Sequence, residues 1–138
     1  MAIFKILEGS SSRIDFETTP FHKGWAYFTP DDGKLYIDSL VDNVETRVCV
    51  SGGGSATPVS ATLLASGWNN GTQTIAVSEL TATSNGVVGL AQTVSDAQYA
   101  AAQEAGILMT AQANGTATFT VMGDSIPTID IPILFIIC

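Results

Sequence analysis

The stretch that decides the fold is Thr18–Asp38, TTPFHKGWAYFTPDDGKLYID. It reads as a β-hairpin. An aromatic strand runs from Gly24 to Thr29, Pro30-Asp31-Asp32-Gly33 forms the turn, and a return strand runs from Lys34 to Asp38. Side chains alternate across a strand. Trp25, Tyr27 and Thr29 therefore face one way and Ala26 and Phe28 the other, while Leu35 and Ile37 oppose Tyr36 and Asp38. An isolated hairpin is marginal in water. One with bulk on both faces must be covered on both, so Phe21, Trp25, Tyr27, Phe28 and Tyr36 are the candidate oligomer or assembly interface.

Upstream, Ile3 to Leu7 reads as a short strand, broken by Gly9-Ser10-Ser11-Ser12. Ile14 and Phe16 alternate with Arg13, Asp15 and Glu17, which predicts a half-buried strand. Thr19-Pro20 ends it. Downstream, Val41 to Val50 is expected to add a strand. Ser51 to Pro58, SGGGSATP, has linker composition.

That linker coincides with a break in charge. All five Lys and Arg residues lie before residue 48, whereas residues 48–138 hold five acids and no cation. Folding of the second part must rest on apolar burial and backbone hydrogen bonds. The organisation expected is a β-rich N-terminal unit over 1–50, a linker over 51–58 and a β-rich unit over 59–138. Within the last, strands are predicted at Val59 to Ala65, Gln73 to Val77, Val87 to Ala91, Ile107 to Ala113, Thr116 to Met122 and Ile129 to Ile136. Pro132 suggests an edge position or the start of a strand. Asn114-Gly115 is a hairpin signal, because both centres of a type I′ turn need positive φ. One helix is expected at about 95–105. Ser95 and Gln98 form a capping box, Asp96 complements the dipole and Gly106 ends the helix. The fold class is mainly β, with a β-sandwich-like second unit carrying one short helix.

The 138 residues suffice for one ordinary core, or for two small ones that need help. Only 13% are charged and mean hydropathy is +0.31. A transmembrane helix needs about 20 apolar residues, and the longest apolar run, Ile131 to Cys138, is eight. No signal peptide is visible in MAIFKILEGS, so synthesis in a cytoplasm is expected. A net charge of −8 argues against nucleic-acid partners, since phosphate contacts need clustered cations. Cys49 and Cys138 form neither a metal pattern nor a C-x-x-C pair. Two thiols in a reducing compartment are expected, with a single bridge as the alternative.

No chemistry stands out. His22 is the only histidine, so a Ser–His–acid triad would have to use it, and no G-x-S-x-G elbow accompanies it. Asp31-Asp32-Gly33 lacks the spacing of a calcium loop and reads as a turn. Thirteen acids place some carboxylates close together in any fold. Gly52-Gly53-Gly54 lacks the lysine of a phosphate loop. Ala100 to Ala105 is a small-residue helix face rather than a membrane helix. Trp68 is a candidate for stacking on a sugar ring, although core packing is the simpler use of an aromatic. No catalytic, cofactor-binding or metal residue is expected.

The hairpin resembles a segment recurrent in virion proteins of tailed bacteriophages: Thr-Pro, a Gly before an aromatic strand, an Asp-Gly turn, then Tyr-x-Asp. The second unit is similar to a domain of phage fibre and accessory proteins. The features that carry this are Ser66-Gly67-Trp68, GTQTIAVSELTA (71–82), SDAQYAAAQEAGI (95–107) and TAQANGTATFT (110–120). The resemblance implies a non-enzymatic virion protein: a capsid decoration or head-fibre protein, or alternatively a tail-fibre or carbohydrate-binding adhesion module. It implies a homotrimer that assembles in a host cytoplasm. The partners implied are its own copies, other virion proteins such as a major capsid protein, and a host-surface glycan.

Overall fold

The computed structural model describes residues 5–51 and 56–138. Among the described residues the chain is mainly β, with three small sheets and one α-helix. The first sheet is built from β1 (Ile6–Glu8), β2 (Ala26–Thr29), β3 (Lys34–Val41) and β4 (Val44–Cys49), in that order, with β1 parallel to β2. The second sheet takes β5 (Thr57–Leu63), β7 (Gly86–Leu90) and β10 (Ile131–Ile137) in the order β5-β10-β7. The third takes β6 (Thr72–Ala76), β8 (Ile107–Ala113) and β9 (Thr116–Val121) in the order β6-β9-β8. Helix α1 (Asp96–Ala105) begins as its sequence predicts. Ser95 Oγ accepts the Gln98 N–H at 3.1 Å, and the Gln98 side chain accepts the Ser95 N–H at 2.8 Å.

Two apolar clusters share β10. Ile131, Ile133 and Phe135 face the third sheet and α1, where they meet Leu63, Leu90, Ala102, Ile107 and Phe119. Phe119 and Phe135 contact edge to face, with centroids 6.2 Å apart. Leu134 and Ile136 face the other way, onto Ile6, Ala26, Phe28, Leu35 and Ala56. A strand buried on both faces reads as a continuous apolar run rather than an alternation, which is the sequence of β10, IPILFII.

The aromatic hairpin forms with its four-residue turn, and Thr29 pairs with Lys34. Its return strand is longer than predicted, reaching Val41. The predicted strand over 41–50 is instead a turn plus β4. Asp42 and Asn43 take φ of 52° and 64°, and Val41 pairs with Val44 across them. The predicted strand around Ile14 and Phe16 does not form. Ser11–Arg13 is one 3₁₀ turn, and the Asp15 carboxylate accepts the Thr18 N–H at 2.8 Å, closing a local turn. Short acidic side chains offer the backbone this alternative to a ladder. The predicted strand Ile3 to Leu7 is seen as Ile6–Glu8, its first two residues lying outside the described residues. Of the predicted linker, 52–55 also lie outside them, while Thr57 and Pro58 already belong to β5.

Pro132 takes one of its two expected positions, the start of a strand, while β10 itself is central rather than an edge. Its carbonyl accepts the Ala91 N–H at 3.0 Å. In the β8–β9 hairpin only Gly115 takes positive φ, at 79°. Asn114 instead uses its side-chain oxygen to accept the Ala82 N–H at 2.9 Å.

Gly86 opens β7 at φ 146°, and a Cβ there would lie 2.0 Å from the Ile136 carbonyl oxygen. A backbone atom of a buried strand cannot move aside cheaply. Gly86→Ala is expected to destabilise by roughly 2–4 kcal/mol through strain and overpacking. Urea unfolding of the variant measures this, and a loss below about 1 kcal/mol would contradict the reading.

Candidate functional site

The hairpin's two faces are covered by different means. Ala26, Phe28 and Leu35 lie under β10. The opposite face is covered by residues 13–22, and the tie is ionic. Asp38 on β3 and Arg47 on β4 are cross-strand partners. Arg47 Nε donates to Asp38 Oδ1 at 2.6 Å and Nη2 to Oδ2 at 2.8 Å, the bidentate fork that planar guanidinium favours. Both side chains are almost fully buried.

The remaining donors of Arg47 reach into the covering loop. Nη1 donates to the carbonyls of Ile14 at 2.6 Å and Thr19 at 3.0 Å, and Nη2 lies 3.4 Å from the Pro20 carbonyl. The guanidinium also sits between two rings, 4.2 Å from the Tyr27 centroid and 4.9 Å from that of Phe16. Asp38 is satisfied in turn by the His22 N–H at 2.8 Å and the Tyr27 hydroxyl at 3.0 Å.

The electrostatics follow from these partners. Burial alone would push the Asp38 carboxyl up. The hydrogen bonds from Arg47, His22 and Tyr27 outweigh it and hold the group below the usual carboxylate range. The Tyr27 hydroxyl is pushed up to about 12 by burial and by its bond to Asp38. Neither group is placed to exchange a proton near neutral pH. The arrangement is a clamp that fixes a loop to a sheet.

The interface residues expected from sequence separate into two kinds. Tyr27 and Phe28 are 4% and 1% exposed and are used up inside the chain. They drop out of the interface set, because a neighbouring loop and β10 supply the cover that a partner was expected to give. Trp25 is 44% exposed and stacks on the His22 ring at 4.1 Å. Phe21 is half-buried against Phe16, with centroids 6.0 Å apart, and Tyr36 is half-buried beside Cys49 on β4. Trp68 is half-buried and packs on the cluster around Phe119 and Phe135. Its indole N–H is buried without a hydrogen-bond partner among the described residues.

The acidic turn behaves as turn chemistry. Asp31 accepts the Ser11 N–H at 2.9 Å and the Ser11 hydroxyl at 2.6 Å, and Asp32 accepts from the Thr29 hydroxyl. Among the described residues no three His, Cys, Asp or Glu side chains converge as a metal site would require. Cys49 and Cys138 are both exposed, and Cys49 Sγ lies 3.6 Å from Ser51 Oγ.

A feature not read from sequence is the end of the first sheet. β2 pairs with β3 only as far as Ile37, so Ser39–Val41 and Val44–Thr46 continue as a two-stranded ribbon. At its tip Leu40, Val41 and Val44 are 42%, 45% and 62% exposed. Asp42-Asn43 was the signal available: once that pair is a two-residue turn, Val41 must face Val44 and Asp38 must face Arg47. No protein-family model, curated protein or solved structure matches the chain.

Proposed function

We propose that the chain is a non-enzymatic structural protein of a tailed-bacteriophage virion, a homotrimeric capsid decoration or head-fibre protein. The observation that carries this reading is the exposed apolar tip of the β3–β4 ribbon, Leu40, Val41 and Val44. Exposed strands that carry apolar side chains invite pairing and are normally blunted. Here Asp42 and Glu45 are the charges at the tip, and the three apolar side chains between and beside them stay exposed, which suits a surface that meets its own copies or another virion protein. The resemblance of the Thr18–Asp38 hairpin and of 71–82, 95–107 and 110–120 to virion proteins supports the same reading, as does a polar network used for bracing. The adhesion alternative loses support because Trp68, its candidate sugar contact, is packed against the core.

Light-scattering mass at micromolar concentration tests the trimer. The expected result is about three times the 14.4 kDa chain mass. Val41→Lys/Val44→Lys is expected to return it to monomer with secondary structure intact. A wild-type chain found only at 14.4 kDa would remove the oligomer proposal. Immunolabelling of phage particles tests the virion assignment separately, and absence of signal from purified virions would overturn it.

A further inference from the structure

The outer face of the third sheet carries hydroxyls in register. Ala117 and Phe119 of β9 point into the core, so Thr116, Thr118 and Thr120 point outward. Across the strands Thr72 faces Thr120 and Thr74 faces Thr118. Thr74 Oγ1 lies 2.9 Å from Thr118 Oγ1, and Thr110 Oγ1 lies 2.8 Å from Thr120 Oγ1. Each pair of hydroxyls holds two hydrogens and spends one on its own bond, which leaves one O–H per pair to donate outward. Thr74, Ala76, Thr110 and Ala111 are exposed on this side. In a chain of net charge −8, neither 72–76 nor 107–121 contains a charged residue.

The tip of the β3–β4 ribbon has the opposite character. Asp42 and Glu45 are exposed there, beside Leu40, Val41 and Val44. Ionised carboxylates only accept hydrogen bonds. Two such tips brought together would set like charges against each other, which is costly at an interface. The threonine face offers the tip hydroxyl donors, methyl groups for its apolar side chains and no acid. The two patches differ, as a head-to-tail contact requires, and such contacts close into rings where the rotation permits.

We propose that the β3–β4 tip of each copy seats on the threonine face of the next, with the Asp42 and Glu45 carboxylates accepting from threonine hydroxyls of that face. This pairing rests on the homotrimer proposed above and adds to it the surface that receives the tip.

Photo-crosslinking on the full chain tests this. Unlabelled chains carrying p-benzoylphenylalanine in place of Val44 are refolded together with isotope-labelled wild type and irradiated. The expected product joins that position to 72–76 or 107–121 of the labelled chain. Trimeric chains that yield no such product, or that yield products joined to 40–45 of the labelled chain, would overturn the proposal and leave the trimer standing. A light-scattering mass of one chain would remove the trimer and the proposal with it. Substitutions on the face give an independent measurement. Thr118→Glu is expected to raise the dissociation constant of the trimer by at least about tenfold through repulsion from the tip carboxylates, while Thr118→Lys leaves it unchanged or lowers it. Equal weakening by both would make the role of the face steric, and no weakening by Thr118→Glu would take the face out of the interface. Either result overturns the proposal. The crosslinking leaves Thr118 in place and stands if its variants fail to fold.

Discussion

Asp38→Ala is expected to cost about 3–5 kcal/mol of folding stability, the usual penalty for leaving one member of a buried ion pair alone. Several buried groups would lose their partner at once. Arg47 Nε and Nη2 would keep their positive charge in a site where the side chains are almost fully buried. The His22 N–H and the Tyr27 hydroxyl would lose their acceptor as well. Urea denaturation followed by tryptophan fluorescence measures the loss, and a value under about 1 kcal/mol would remove the clamp from the account of stability. The double variant Asp38→Leu/Arg47→Met separates this site from a simple ion pair. A buried pair replaced by apolar residues of similar volume is often neutral. Here it should not be, because Ile14 and Thr19 also lose the donor to their carbonyls. A double variant as stable as wild type would show that the loop does not depend on Arg47.

The same clamp sets a pH dependence. Asp38 titrates below its unfolded value when folded. Its contribution is therefore full above the unfolded carboxylate pKa of about 3.9 and is lost as pH falls through the folded value. Wild type should lose stability more steeply than Asp38→Asn below about pH 4. Parallel acid limbs for the two proteins would contradict the assignment.

The parts of the fold legible in sequence are those whose signals are local. The Ser95–Gln98 capping box places α1 because both halves of the motif sit within one turn. The aromatic alternation of Trp25 to Thr29 and the Pro30–Gly33 turn place β2 and β3 for the same reason. Ile14 and Phe16 mislead because alternation is a weak statement over five residues. Asp15 caps a turn, and Arg47, 33 positions from Ile14, takes that residue's carbonyl. No local pattern reports a partner so distant. Tyr27 and Phe28 were legible as needing cover, but not as receiving it from their own chain. The cover comes from residues 13–22 and from β10, and only the three-dimensional path brings these to the hairpin.

Ile136→Ala is expected to destabilise the whole chain by about 2–5 kcal/mol, the range for removing a large buried aliphatic side chain. Ile136 has no exposed surface and packs against residues of the first sheet, while its neighbours Phe135 and Ile137 serve the other cluster. One strand thus forms part of both cores. The consequence concerns cooperativity as well as magnitude. The two tryptophans report separately. Trp25 stacks on His22 beside the first sheet, and Trp68 packs on the cluster between the second and third. In Trp68→Phe the fluorescence follows the first region, and in Trp25→Phe it follows the second. If β10 couples the two, both probes should give one urea midpoint, and Ile136→Ala should lower both midpoints equally. Two midpoints in wild type, or a shift confined to the Trp25 probe, would mean that residues 1–50 and 59–138 fold as separate units. The charge break at residue 48 would then be a boundary in stability as well as in composition. A single midpoint would mean that an acidic, cation-free segment and the segment holding every cation are held together mainly by carbon surface along Leu134 and Ile136, with the Glu8 N–H bond to Gln92 Oε1 at 2.8 Å and the Lys5–Leu90 bridge beside it.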